Sequence, residues 1–183
     1  MKLKIILSTL FVILWTSLSF GQNESSTTLI LVRHAEKKIE PANKDPELSP
    51  AGELRAQEIV RVFSDAGINA IYASEYKRTQ NTVKPLADKL GLTMRRVEAK
   101  KTAELVKQIR ATNTGQVVFI AGHNNTVPEI IAAFGGPQMP IIPESDFDNL
   151  YILTIYPSGP PHLLKLKYGS PLKVTGQTMM AKP

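Results

Sequence analysis

The sequence predicts a three-layer α/β/α domain around a mainly parallel, mixed sheet. Three observations carry this. Residues 28–32 (TLILV), 70–73 (AIYA) and 117–121 (VVFIA) are short, continuous apolar runs, the pattern of strands buried on both faces. Stretches with helical apolar spacing follow each of them. Two further runs, 150–156 and 162–168, are joined by Pro157-Ser158-Gly159-Pro160-Pro161 and read as an antiparallel hairpin. Strands alternating with helices imply a parallel sheet covered on both sides. The hairpin makes that sheet mixed.

The elements follow in order. Residues 1–21 precede the domain. Lys2 and Lys4 lead into an apolar run over 5–20, and Ser19 and Gly21 are small residues before Gln22. This order of charge, apolar run and small residues is that of a secretory signal. A membrane anchor is the rival reading, but the span is short of the roughly 20 apolar residues a crossing helix needs. No cysteine follows the run, which disfavours lipid attachment. The expectation is a signal over 1–21 and one domain over 22–183. The protein would then be periplasmic or secreted, with no stable membrane anchor after cleavage.

After the first strand, residues 36–49 are polar, contain Pro41 and Pro46, and read as a loop. Ser49-Pro50 opens a helix as cap and first-turn residue. Ala56, Ile59, Val60 and Phe63 form its apolar face, and Gly67 is expected to end it. After the second strand a helix over 76–90 carries Val83, Leu86, Ala87 and Leu90 on one face. Pro85 is a candidate kink, and Gly91 a stop. A third helix covers 102–110 with Leu105, Val106 and Ile109 inward. A fourth holds Val127, Ile130, Ile131 and Phe134 and ends at Gly135-Gly136. In the last run Leu164, Leu166 and Tyr168 alternate with Lys165 and Lys167, the mark of a half-exposed edge strand.

Composition narrows the chemistry. The 183 residues contain no cysteine and three histidines, which excludes disulfide scaffolds, cysteine nucleophiles and cysteine zinc sites. No metal site is expected. The formal charge is +6. Removing Lys2 and Lys4 with the signal leaves 6 − 2 = +4. Arg95, Arg96, Lys100 and Lys101 form a basic cluster, but no nucleic-acid motif or interleaved aromatic set accompanies it. It reads as a solvated face or a lure for anionic substrates.

In sheets of this kind the reactive site lies beyond the carboxyl ends of the strands. Arg33 and His34 follow the first strand. Ser74 follows the second, with Arg78 opening the next helix. Gly122, His123, Asn124 and Asn125 follow the 117–121 strand. Two arginines and two of the three histidines therefore converge on one crevice. An Arg-His pair alone occurs by chance, and the convergence carries the reading. A cation at a helix N-terminus, as Arg78 is, opposes the helix dipole unless an anion sits beside it. Two guanidiniums present planar donor forks that fit phosphate oxygens, and the helix N-terminus adds backbone N–H groups. A histidine between arginines is pushed toward its neutral, nucleophilic form. The second histidine can donate to a bound dianion. The implied reaction is phosphoryl transfer to a histidine followed by hydrolysis.

At these residues a resemblance enters. Leu31-Val32-Arg33-His34-Ala35-Glu36 resembles the signature of the histidine phosphatase superfamily, with its phosphoglycerate-mutase-like fold. Leu48-Ser49-Pro50-Ala51-Gly52 is similar to its first-helix entry. Tyr72-Ala73-Ser74 through Arg78-Thr79-Gln80-Asn81-Thr82 resembles its strand–arginine–helix segment. Ala121-Gly122-His123-Asn124-Asn125-Thr126-Val127-Pro128 resembles its second-histidine motif. The four occur in family order over 28–156. The resemblance implies His34 as the phosphorylated nucleophile, and Arg33, Arg78 and His123 with it as the phosphate pocket. Asn124 is expected to bind phosphate beside them. No cofactor or metal is implied.

The chain departs from the family at the proton donor, often a glutamate after the Arg78 helix. Only about ten residues separate Gly91 from the next helix here. Glu98 is the candidate in that stretch and Glu36 a second one. The functions to weigh are a phosphatase for small phosphomonoesters, a phosphohistidine protein phosphatase, and a non-catalytic phosphate-binding module. A mutase would need more insert sequence. The predicted partner is a small phosphorylated substrate, with no nucleic acid.

Overall fold

In the computed structural model, which describes residues 25–169, the central strand β1 (Thr27–Arg33) meets two cores. Leu29 and Leu31 face one, Ile30 and Val32 the other. This is why the run is apolar at every position rather than at alternate ones. On the first side lie α3 (Thr102–Thr112) and α4 (Thr126–Ala133), contributing Leu105, Ile109, Val127 and Ile131. On the second lie α1 (Pro50–Phe63) and α2 (Lys77–Leu90), contributing Ile59, Phe63, Val83 and Leu86. Full burial of each such side chain stabilises the fold by about 1.5–3 kcal/mol.

The remaining strands are β2 (Ile68–Ala73), β3 (Met94–Arg96), β4 (Val117–Gly122), β5 (Asn149–Ile155) and β6 (His162–Lys167). Their order is β3-β2-β4-β1-β5-β6. The first four are mutually parallel, while β5 and β6 run antiparallel to their neighbours. The expected mixed α/β/α sandwich is therefore the observed one. The antiparallel sense of β5 has a consequence for the site. Leu150 pairs with Val32, so β5 begins at the end where β1 finishes. Residues just before β5 consequently pass over the carboxyl end of β1.

Differences from the sequence reading are local. Helix α1 ends at Phe63, four residues short of Gly67, because 64–66 form a turn; Gly67, at φ 65°, then leads into β2. Helix α2 runs through Pro85 and stops at Gly91 in the left-handed conformation, at φ 65°. Strand β3 was not expected, since MRR has neither apolar alternation nor length. It is held by parallel pairing of Met94 with Ile71 at the sheet edge. Its Arg95 is exposed, as the solvated reading has it, and Nη1 donates to Tyr72 Oη at 2.9 Å. In β6, Tyr168 beyond its end is buried, whereas Leu164 and Leu166 stay 44% and 43% exposed. No described helix is long and apolar enough to cross a membrane. The expected signal over 1–21 lies outside the described residues.

Candidate active site

Three strand ends and one helix start assemble the site. His34 leaves β1 with its N–H donating to Gly122 O at 2.8 Å, which extends the β1–β4 ladder by one rung. Ala35 N–H then donates to Thr82 Oγ1 at 2.8 Å, and that hydroxyl donates to Arg78 O at 2.7 Å. The segment carrying the nucleophile candidate is thus clamped to the first turns of α2, which carry Arg78. A Cβ at Gly122 would meet Thr126 Oγ1 at 2.9 Å, so only glycine lets β4 turn this tightly into α4. His123 N–H donates to the same hydroxyl at 2.9 Å.

The two imidazoles stand edge to face, with ring centroids 5.4 Å apart. His34 Nδ1 lies 2.8 Å from Ala35 O. A carbonyl only accepts, so Nδ1 carries the hydrogen and Nε2 keeps its lone pair. Burial lowers the His34 pKa to about 3, opposed by the Ala35 bond and helped by His123, Arg33 and Arg78. The direction is that expected from the sequence. The main cause is desolvation rather than the neighbouring cations. Burial and then Arg78 lower His123 to about 4. Its Nε2 lies 2.9 Å from Ser74 Oγ, which donates to Thr79 Oγ1 at 2.9 Å. Ser74 therefore accepts from Nε2–H, and His123 Nδ1 is left for the cavity.

The arginines differ in what they hold. Arg33 is 2% exposed. Its Nη1 donates to Pro143 O at 2.8 Å, Glu144 O at 3.0 Å and Asp146 O at 3.4 Å. Its Nη2 donates to Glu144 Oε2 at 2.5 Å. Arg33 Nε, Arg78 Nε and Arg78 Nη1 are buried and make no hydrogen bond; the Asp45 carboxylate stands 3.8 Å from Arg78 Nη1. Buried charged donors are almost always satisfied, so three orphans beside one cavity call for an anion. Rings back both guanidiniums: Phe147 at 4.2 Å from Arg33 and Tyr76 at 4.2 Å from Arg78. Asp45 Oδ1 accepts from Lys77 N–H at 2.9 Å, so a carboxylate caps the start of α2 beside Arg78. The cavity is about 530 Å³. Arg33, His34, Arg78, His123 and Asn124 line it, joined by Lys37, Lys100, Glu129 and Glu144.

The structure thus brings Arg33, His34, Arg78, His123 and Asn124 together. The Asn124 amide is directed at Glu144 Oε1, 2.8 Å away. The two glutamates considered as proton donors are placed elsewhere. Glu98 is exposed, off the cavity wall, and paired with Lys101 at 2.9 Å. Glu36 is 7% exposed and bonded to Arg55 through both oxygens, at 2.7–3.0 Å. It is held in a structural ion pair. Sequence reasoning missed Glu144, Phe147, Tyr76 and Asp45. The antiparallel pairing of β5 with β1 would have pointed to the first two. Among the described residues, no group of three or more His, Asp or Glu could hold a metal ion.

The model of the histidine phosphatase superfamily (branch 1) matches residues 29–100. No curated protein matches the chain in sequence. Among solved structures, the protein histidine phosphatase SixA complexed with tungstate superposes with a TM-score of 0.64 at 16% identity, covering 76% of this chain and 96% of that one. A mycobacterial hydrolase gives 0.62 at 14%, covering 76% and 89%. A mycobacterial glucosyl-3-phosphoglycerate phosphatase gives 0.59 at 15%, covering 75% and 97%. At such identities these structures speak for the fold alone. The family model over residues 29–100 carries the resemblance to the histidine phosphatase superfamily, and the solved structures share the fold.

Proposed function

We infer that the protein is a metal-independent phosphatase that hydrolyses small phosphomonoesters through a phosphohistidine on His34. The observation that carries this reading is the set of three orphaned guanidinium N–H groups, Arg33 Nε and Arg78 Nε and Nη1, beside a histidine held neutral. They take the phosphoryl oxygens. His34 Nε2 attacks phosphorus, the ester oxygen leaves, and water then attacks the phosphohistidine. His123 donates through Nδ1 to the phosphoryl group once the dianion raises its affinity for a proton. The signal-like residues 1–21 support export to the periplasm or beyond.

The test is His34→Ala on purified protein with p-nitrophenyl phosphate. Hydrolysis is expected to fall to background, and survive EDTA in the parent. A phosphodonor should label the parent with acid-labile, base-stable phosphate that His34→Ala lacks. Intact turnover in His34→Ala would reject the nucleophile. Phosphate binding without turnover or label would favour a non-catalytic module. The second enzymatic reading, a phosphohistidine protein phosphatase, is favoured by one observation. Between α2 and α3 lie only residues 91–101, with the three-residue β3, so this stretch of the described residues forms no lid over the cavity. Faster turnover of a phosphohistidine peptide than of any ester would support it.

A further inference from the structure

The reaction needs a proton for the leaving oxygen, and both sequence candidates are spent elsewhere. The described carboxylates near the cavity can be taken in turn. Glu36 is locked on Arg55, and Glu98 is exposed and off the cavity wall. Glu75 Oε2 accepts from Ala99 N–H at 2.8 Å, and Asp45 caps α2. Glu129 lines the cavity but makes no bond with the arginines or histidines. Asp45 also approaches Arg78 Nη1, at 3.8 Å, but Glu144 is the described carboxylate hydrogen-bonded to the phosphate-binding groups: Oε2 to Arg33 Nη2 and Oε1 to Asn124 Nδ2.

Its position suits the task. His34 is 4% exposed and forms the floor. In-line attack from the floor sends the leaving group outward, toward the mouth. Glu144 sits at that mouth, with its side chain 75% exposed, yet is held by a guanidinium whose Nε is still unbonded. Phosphate can therefore bind Arg33 Nε and Arg78 without evicting the carboxylate from Nη2.

Resting on the phosphatase reading above, we propose that Glu144 is the proton donor to the leaving group. A phosphomonoester monoanion brings in the proton, which passes to the Glu144 carboxylate as the dianion settles on the guanidinium donors. The His34 Nε2–P bond forms, the P–O ester bond breaks, and the leaving oxygen takes the Glu144 proton. In the second step water adds to phosphorus and gives its proton back to Glu144, and the N–P bond breaks. Inorganic phosphate and neutral His34 remain.

The experiment compares Glu144→Gln with the parent on esters of graded leaving group. General acids contribute about 10²–10⁴-fold, and most where the leaving group is poor. An alkyl phosphate should lose about 100-fold or more in kcat, and p-nitrophenyl phosphate only a few-fold. The dependence of log kcat on leaving-group acidity should steepen accordingly. Equal losses on both esters would mean a binding or structural role and overturn the proposal. So would a rise on both, which would mean that the carboxylate merely competes with phosphate for Arg33. Unaltered kinetics on both would overturn it as well. A thermal melt at the parent temperature shows that the variant folds. If the parent itself neither turns over nor labels at His34, the phosphatase reading fails instead, and the two failures are distinct.

Discussion

Arg55 and Arg78 are both largely buried, with side chains 5% and 13% exposed, and they end in opposite conditions. Arg55 gives Nε and Nη2 to Glu36 and Nη1 to Tyr168 O at 3.1 Å. Arg78 has two buried N–H groups with no bond, and its nearest carboxylate, Asp45, stands 3.8 Å away. A buried cation does not by itself mark a site. What separates the two is whether the donors are already used. The Arg55 region is a joint between the first loop, α1 and the end of β6. The Arg78 region keeps buried donors that its neighbouring carboxylate, Asp45, does not hydrogen-bond.

The comparison sharpens most at Arg78. Arg78→Gln removes a charge and donors aimed at the transferring group. Loss of one such donor costs about 10²–10³-fold in rate, and the full charge puts this variant at about 10³-fold or beyond, or about 4 kcal/mol. Stability should hold or rise, because an unsatisfied buried charge is removed. Steady-state kinetics and urea unfolding check the two halves. A variant that unfolds easily while its folded fraction keeps its rate would put Arg78 in the same class as Arg55.

Glu36→Ala is the mirror experiment. It strands the Arg55 guanidinium, and breaking a buried pair costs about 3–4 kcal/mol. The urea midpoint should drop, with kcat per folded molecule kept. Replacing both partners with apolar residues of similar volume should recover much of the loss. A selective fall in kcat would reinstate Glu36 as a chemical group.

The two neutral histidines give the cavity a pH signature that the Arg55 joint lacks. Both pKa values lie below 6.5 in the fold, about 3 for His34 and about 4 for His123. Below pH 6.5 the unfolded chain binds more protons than the folded one, so stability falls as pH falls. Between about pH 6.5 and 4 both contribute, each at most about 1.4 kcal/mol per pH unit. His123 ceases to contribute below about 4 and His34 below about 3. Melting temperatures from pH 7 to 5, above the carboxylate range, should fall steadily. His34→Gln should about halve the slope, and orthophosphate should raise the melting temperature by binding the folded state. A flat profile over that window would contradict neutral histidines.

How much of this was legible in the sequence follows from where each residue gets its position. Arg33, His34, Ser74 and His123 sit within two residues of doubly buried strands, whose apolar runs announce both the strand and its end. Arg78 opens a helix with clear periodicity. Glu144 and Phe147 sit in an irregular loop and reach Arg33 only because β5 pairs antiparallel with β1, a relation across 110 residues that no local pattern encodes. Glu98 failed for the same reason in reverse. It is close in sequence to a site segment, but its side chain is exposed, off the cavity wall, and pairs with Lys101. Strand β3 itself depends on a neighbour's edge rather than on its own three residues.

The smallest effect should come from Ser74, which touches the chemistry only through His123. Ser74 Oγ accepts from His123 Nε2–H and donates its own O–H to Thr79 Oγ1, so the ring has one orientation and one tautomer. Ser74→Ala leaves that N–H unbonded in a buried place, which costs about 1–3 kcal/mol unless the ring turns to find another acceptor. Turning toward the cavity is the cheaper course. The phosphate would then lose a well-aimed Nδ1 donor but keep Arg33 and Arg78. The expected result is a fall in kcat of about 5–10-fold, near 1 kcal/mol, with KM little changed. A merely structural serine would lower the melting temperature and leave the pH profile alone. A positioning serine should also move the acid limb of kcat, because the tautomer and the proton affinity of His123 are set together by the same bond. Ser74→Thr, which retains the hydroxyl, should restore both. If instead Ser74→Ala costs as much as Arg78→Gln, the orphaned guanidinium donors do not dominate phosphate binding, and the contrast between Arg78 and Arg55 would have to be drawn at His123.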